Sequence, residues 1–223
     1  MHQRKSKKIL IYFLLFIFIG SVNNINLNEI KLDSVENINI SGLDRINYES
    51  IEKEIKNLNL ENIFFLPKKQ IQNILETNTL IETYNVNKKY PSTLDIKIKK
   101  TNFLAKINNE GKIYLIGSNG RLIEDYYINR NLPFVFGKPS VQEFLDLKKI
   151  IDQSKIPYNK IKNFYFFQSK RWDLEFNNNK IAKLPKFHEK KTLNNLFELL
   201  SDQRFSEKKI IDLRVKDQII TND

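Results

Sequence analysis

No cysteine occurs anywhere in the 223 residues. That absence removes a disulfide framework, a thiol nucleophile and any cysteine-ligated metal from consideration. Histidine is nearly as scarce, and His2 and His188 are too few for a histidine-rich metal centre or a histidine-relayed proton network. The chain also lacks a glycine-rich phosphate loop, a His-Glu metal helix and a nucleophile elbow. Asn119-Gly120-Arg121 reads as a turn rather than a phosphate cradle, and Asp152, Asp173 and Glu175 fall at no spacing suited to paired-carboxylate chemistry. Asp212 and Arg214 stand two apart on an expected strand, with Lys216 beyond them, and read as an ion pair with neighbouring strands. The expectation is a protein that is not an enzyme, with no catalytic, metal-binding or cofactor-binding residues.

Basic charge is plentiful but not concentrated. The formal net charge is +11, yet lysine and asparagine are interleaved with glutamate and aspartate through nearly every segment and no long basic run occurs. That patterning describes a solvated, lysine-rich surface and excludes nucleic acid as the expected partner. His188, beside Glu189 and Lys190, reads as an exposed residue near a helix start, and Trp172 as core. With 41% hydrophobic and 12% aromatic residues, the chain can bury a core of one large or two small domains.

One apolar run stands apart. Arg4, Lys5, Lys7 and Lys8 precede Ile9 to Val22, in which only Gly20 and Ser21 interrupt the apolar side chains. A helix needs about 20 residues to cross the hydrocarbon layer, so a span is expected to continue through Asn23, Asn24 and Asn26 to Leu27. A cleaved signal peptide competes with this reading, and a cut after Ser21 stays open, but no Ala-x-Ala pair follows the run. An uncleaved anchor over 9–27 is favoured, with a cytoplasmic tail at 1–8 and everything after Leu27 outside.

Beyond the anchor the patterning divides near residue 101. Val35, Ile38 and Ile40 alternate as a short strand that Gly42 ends, and Ile46, Ile51, Ile55 and Leu58 recur at helical spacing. After Phe64 and Phe65, Pro67 suits a first helical turn, with Ile71, Ile74 and Leu75 on one face. Two alternating runs follow, Tyr84 to Lys88 and Leu94 to Ile98, broken at Tyr90-Pro91-Ser92-Thr93. The order is β-α-α-β-β. From Phe103, strands flank Asn109-Glu110-Gly111, and a turn at Ser118-Asn119-Gly120 completes a meander. Ser140 with Glu143 fits a capping box ahead of the stripe Val141, Phe144, Leu145, Leu147, Ile150 and Ile151. "IKNFYFFQ", "RWDLEF" and "KIAKL" supply further strands, with Asn177-Asn178-Asn179 as a turn.

The first unit, with "INISG" ending its first strand, "FF" between its helices and "VNKKYPSTLDIKI" closing it, resembles a POTRA (polypeptide-transport-associated) domain. Directly after a single N-terminal anchor, it resembles the FtsQ/DivIB family of bacterial cell-division proteins. The motifs that follow keep that family's order: Ala105, Gly120, "LPFVFG" (Leu132 to Gly137), a helix from Ser140, "RWDL" (Arg171 to Leu174), a helix near Thr192 to Leu200 and "DLR" (Asp212 to Arg214). Four positions depart from the family pattern: Lys100 and Phe103 where an acidic residue and Pro are usual, Val215 for Tyr, and Gln218 for Gly.

The resemblance implies an α+β protein with an N-terminal transmembrane helix. A POTRA domain (β-α-α-β-β) over 34–100 would then precede a β-rich domain over 101–223, a curved antiparallel sheet with helices on one face. It further implies a non-catalytic divisome scaffold of the cell inner membrane, its C-terminal domains periplasmic at the septum. Such a scaffold binds FtsB and FtsL and helps couple septal peptidoglycan synthesis to constriction, the POTRA unit contributing septal localisation and contacts with other division proteins. The competing reading is a POTRA-bearing component of an outer-membrane secretion or assembly system. That reading calls for a long β-barrel, which residues 101–223 are too few to form.

An expected last strand runs from Ile210 to Thr221, alternating cleanly to Val215, with Asp217 breaking the pattern. Free edges are normally blunted by charge or proline, and "QIIT" has neither. The expected partner-binding residues are therefore Val215, Lys216, Asp217, Gln218, Ile219, Ile220 and Thr221, paired internally on one side and open to a partner's strand on the other.

Overall fold

The computed structural model describes residues 3–22, 34–124, 131–187, 189–215 and 218–222. It contains two compact units, one of Met1–Gln72 with Asn85–Lys97 and one of Asn73–Tyr84 with Ile98–Asp223.

The chain begins with helix α1 (Gln3–Val22). Every side chain from Ile9 to Ile19 is exposed, between 48% and 77%, so this apolar run packs on no described protein surface. No helix among the described residues is long and apolar enough to cross a membrane. Ile9 to Val22 alone gives about 21 Å of helix, and residues 23–27 of the expected anchor lie outside the described residues.

The next elements are β1 (Asn37–Ser41), α2 (Arg45–Lys56), α3 (Lys68–Thr77), β2 (Ile81–Lys89) and β3 (Thr93–Lys100), the β-α-α-β-β order expected from sequence. Sheet order is β1-β3-β2, with β1 parallel to β3 from Asn37↔Thr93 to Ser41↔Lys97. A parallel pair needs a long crossover, which α2 and α3 supply. Ile51, Ile55, Ile71 and Leu75 are all buried, as their helical spacing requires, and Leu94, Ile96 and Ile98 bury alternate positions of β3. The N–H groups of Gln70 and Ile71 donate to the Pro67 carbonyl, so Pro67 starts α3 where its own missing N–H costs nothing.

The remaining elements are β4 (Phe103–Asn109), β5 (Lys112–Gly117), β6 (Leu122–Glu124), β7 (Phe134–Phe136), α4 (Val141–Gln153), β8 (Ile161–Phe166), β9 (Trp172–Phe176), β10 (Ile181–Lys183), α5 (Lys190–Ser201), β11 (Ile210–Asp212) and β12 (Ile220–Asn222). The strands form one sheet in the order β12-β11-β10-β9-β8-β7-β4-β5-β6. The sheet is mixed rather than antiparallel: β4 and β7, β7 and β8, and β10 and β11 pair in parallel. The reason is topological. A hairpin returns the chain antiparallel, whereas α4 between β7 and β8 and α5 between β10 and β11 carry it back to run the same way.

One face of this sheet is the core. A row of cross-strand partners, Val135, Phe164, Leu174, Ala182 and Ile211, is buried. Phe144, Leu147 and Ile151 of α4 and Leu193 and Leu196 of α5 join the same cluster, which places both helices on that face. Trp172 belongs to it too, its ring 6.3 Å from Phe164 and 6.4 Å from Phe144. The capping box that starts α4 is complete, with Ser140 Oγ accepting from Glu143 N at 3.2 Å and Ser140 N donating to Glu143 Oε2 at 2.9 Å.

The turn at Ser118 to Arg121 does more than reverse the chain. Asn119 Nδ2 donates to the carbonyls of Thr79 (2.9 Å) and Ile81 (3.0 Å), and the Arg121 guanidinium donates to those of Glu76 and Asn78. Ser118 Oγ donates to Glu82. The Glu76 and Asn78 carbonyls lie where the intrahelical partners of α3 run out, and the bonds to Thr79, Ile81 and Glu82 tie the start of β2 to the same turn. Residues 73–84 fall in the second unit, although the sequence pattern groups them with the first.

Candidate partner-binding edge

The C-terminal segment is not the continuous strand that its alternation predicts. β11 ends at Asp212, Leu213 N donates a last rung to Lys183 O at 2.9 Å, and the chain then leaves the ladder. The Asp212 carboxylate causes the departure. It accepts from Arg214 N at 3.0 Å and from Arg214 Nε at 2.8 and 2.9 Å, which folds the backbone over its own side chain. Gln218 N donates to Val215 O, and the chain returns as β12, antiparallel to β11 in the register Ile210↔Asn222, Ile211↔Thr221, Asp212↔Ile220. β12 is thus the outermost strand of the sheet, hydrogen-bonded on one side to β11.

The expected partner-binding residues fall as follows. Ile220 and Thr221 lie in β12, while Val215, Gln218 and Ile219 lie in the reversal that precedes it. Lys216 and Asp217 are outside the described residues, as is His188. Val215, Ile219 and Ile220 are exposed at 46%, 50% and 48%. Beside them lies an open groove of about 730 Å³, lined on the chain-end side by Leu213, Val215 and Ile219 and on the other by Phe187, Thr192, Asn195 and Leu199, with Lys186, Lys191 and Arg214 contributing positive charge. Sequence reasoning passed over the α5 side of this groove. Its signal is the spacing 192, 195, 199, a second helical stripe beside the buried Leu193 and Leu196.

The electrostatics of the edge rest on a charged row. Asp173, Lys183 and Asp212 are direct partners on β9, β10 and β11, so opposite charges alternate across the strands. The hydrogen bonds from Arg214 hold the Asp212 carboxyl below its ordinary range, against the effect of burial and with help from Lys183. Burial pushes the neighbouring Asp173 carboxyl upward, opposed by Arg171, Lys183 and Arg214. The ion pair of Asp212 is thus with Arg214 on its own segment, not with a neighbouring strand as expected from sequence, and Lys183 on β10 adds only an attractive charge nearby.

Opposite pH dependences follow. A carboxyl with a depressed folded pKa stabilises the fold above its unfolded value, about 3.9, and that contribution is lost as pH falls through the folded value. Asp212→Asn is expected to lower the unfolding midpoint at neutral pH, with the deficit closing in acid. A raised folded pKa reverses the sign, since stability then declines as pH rises from about 3.9 through the folded value. Asp173→Asn is expected to raise the neutral midpoint, with the gain vanishing in acid. Urea unfolding of both variants from acid to neutral pH checks this, and the same sign for both would refute the assignment.

Among the described residues no group of three or more His, Cys, Asp or Glu is placed to hold a metal ion. A family model described as "POTRA domain, FtsQ-type" matches residues 34–100, and a second, "Cell division protein FtsQ/DivIB, C-terminal", matches residues 105–214. The chain belongs to the FtsQ/DivIB family. The second match ends at Arg214, so the β12 edge lies beyond it. Relatives within the FtsQ/DivIB family include the cell division protein DivIB of Staphylococcus aureus (strain NCTC 8325 / PS 47), 28% identical over 93 residues, covering 42% of this chain and 21% of that protein. DivIB of Clostridium botulinum (strain Loch Maree / Type A3) is 28% identical over 133 residues, covering 60% and 52%. FtsQ of Rhizobium meliloti (strain 1021) is 22% identical over 194 residues, covering 83% and 61%. The chain thus spans less than two thirds of the length of each, from 21% to 61%. The extracytoplasmic domain of DivIB from Geobacillus stearothermophilus aligns with a TM-score of 0.32 at 10% identity, over 44% of this chain and 86% of that one.

Proposed function

We propose that this chain is a non-catalytic divisome scaffold, held in the cell inner membrane by residues 9–27 with its basic N-terminus cytoplasmic, and that its periplasmic C-terminal edge binds FtsB and FtsL. In this role it helps couple septal peptidoglycan synthesis to constriction. The observation that carries the reading is the tandem of two family matches, POTRA then FtsQ/DivIB C-terminal, in one order along one chain. The second match also disfavours an outer-membrane secretion or assembly component. The anchor is supported by length: a helix continued from Ile9 to Leu27 reaches about 29 Å, close to the hydrocarbon thickness of about 30 Å. The exposed apolar surface of α1 is compatible with lipid and costly in water.

β12 supports the partner reading, because a strand edge that is unpaired among the described residues offers backbone donors and acceptors at strand spacing while the groove beside it offers side-chain contacts. The test is co-purification of FtsB and FtsL with the full-length chain and with a truncation after Val215, alongside a reporter fused after Asp223. The expected result is capture by the full chain alone, with a reporter active only outside the cytoplasm. Equal capture by both chains would remove the edge from the proposal, and a soluble product beginning near Val22 would remove the anchor.

A further inference from the structure

The tip of the first unit carries aromatic side chains that no core uses. Phe64 and Phe65, between α2 and α3, are 51% and 81% exposed, and Tyr90, at the turn between β2 and β3, is 59% exposed. Phe64 and Tyr90 stack with ring centroids 4.9 Å apart, so the two loops form one apolar surface rather than scattered side chains. Lysines surround it. Lys88 Nζ donates to Phe64 O at 3.0 Å, Lys89 pairs with Asp95 at 3.3 Å, and Lys68 is exposed at the start of α3. Among the described residues, Glu36 and Glu61 are exposed acidic groups close by in the chain. Exposed aromatics with a lysine surround match the water-to-lipid interface, where rings sit at headgroup depth and ammonium groups meet anionic phosphate.

The backbone says which way this tip faces. The chain enters the β-α-α-β-β elements at Val35, whose N–H donates to Leu60 O, four residues from Phe64. Glu36 N and Asn37 N both donate to Ser92 O, two residues from Tyr90. The aromatic tip is therefore the end at which the chain arrives from the apolar run Ile9 to Val22. The intervening residues 23–33 span at most about 40 Å when fully extended, which bounds how far the point of entry, and not the opposite end of the fold, can lie from the end of the run. We infer that Phe64, Phe65 and Tyr90 form a second membrane contact, seating the first unit on the anionic lipid surface next to its own anchor. This inference rests on the anchor reading above. It also accounts for an aromatic pair whose burial the fold does not need, since Ile63 beside it is already fully buried.

The absence of cysteine allows a direct test. The full chain carrying Lys69→Cys, labelled with an environment-sensitive fluorophore, is reconstituted into vesicles of phosphatidylethanolamine and phosphatidylglycerol with brominated lipid as quencher. Ser41→Cys, exposed at the end of β1 away from the tip and in the same unit, serves as the comparison. The expected result is blue-shifted, quenched emission at position 69 and unquenched emission at 41, with the quenching lost in a Phe64→Ser/Phe65→Ser chain of unchanged unfolding midpoint. Loss of quenching when phosphatidylglycerol is replaced by phosphatidylcholine is expected too, because the lysines need anionic headgroups. A chain that floats with the vesicles but shows position 69 as unquenched as 41 overturns the contact and leaves the anchor standing. A chain that does not float overturns both. Protection at position 69 that appears only when division proteins are added would assign the tip to a protein partner instead.

Discussion

Gly137→Ala is expected to cost about 4 kcal/mol, a large part of the 5–15 kcal/mol that holds a typical domain together. Gly137 follows β7, the neighbour of the central strand β8 in the nine-stranded sheet, with φ +94°, and a Cβ built on it would lie 2.3 Å from the Phe166 carbonyl oxygen and 3.2 Å from its carbon. A side-chain clash can rotate away, but this one is with backbone. It is relieved only by moving the end of β7 away from β8, which pair in parallel through Phe136↔Tyr165. Gly111 separates the two contributions. Its φ is +85°, almost the same strain, but nothing lies within 4 Å of the added atom. Gly111→Ala is therefore expected to cost only about 1 kcal/mol. Urea unfolding of both variants measures the difference, and equal costs would mean that β7 and β8 do not approach as described.

Gly137 also marks the boundary of what the sequence makes legible. "LPFVFG" could be placed on a strand end by pattern, but the close approach that requires its last residue is between segments 29 positions apart, 137 and 166. Local chemistry reads well. The capping box at Ser140 and Glu143, the buried stripes of α2, α3 and α4, and the positive φ of Glu110 and Gly111 at the β4–β5 turn all follow from interactions within a few residues. Pairing direction does not read so well, because the alternation along β7 or β10 is the same whether the neighbour runs parallel or antiparallel. The carbonyl capture by Asn119 and Arg121 was invisible for the same reason: a turn signal states that the chain reverses, not what its side chains reach. At the C-terminus the failure is sharper. Asp212 and Arg214 sit at the spacing that puts two residues on one strand face, and the same spacing lets the carboxylate take the Arg214 N–H and end the strand. Periodicity cannot distinguish these outcomes, so one expected strand proved to be two with a reversal between them.

That reversal sharpens the test of the candidate edge. Along an antiparallel strand, successive N–H groups point to opposite sides, so of Ile220 and Thr221 one N–H faces β11 and the other faces away. Proline removes the donor at either position and fixes φ near the extended range. At the inward position it breaks the β11–β12 pairing and is expected to lower the unfolding midpoint. At the outward position it leaves that pairing in place and removes only a donor offered to an added strand. One ladder hydrogen bond is worth about 0.5–1.5 kcal/mol net, and more if the partner's carbonyl is left buried and unsatisfied, so binding should weaken about tenfold. Of Ile220→Pro and Thr221→Pro, one is thus expected to keep the parent midpoint while losing about a factor of ten in affinity for FtsB and FtsL. The exposed Val215 and Ile219 beside the groove supply side-chain contacts that a three-residue ladder lacks. Val215→Ser/Ile219→Ser is accordingly expected to weaken binding without moving the midpoint. Measuring affinity and thermal unfolding together on all three variants separates docking from folding. If affinity tracks stability in every variant, the β12 edge is a structural strand and the partner binds elsewhere.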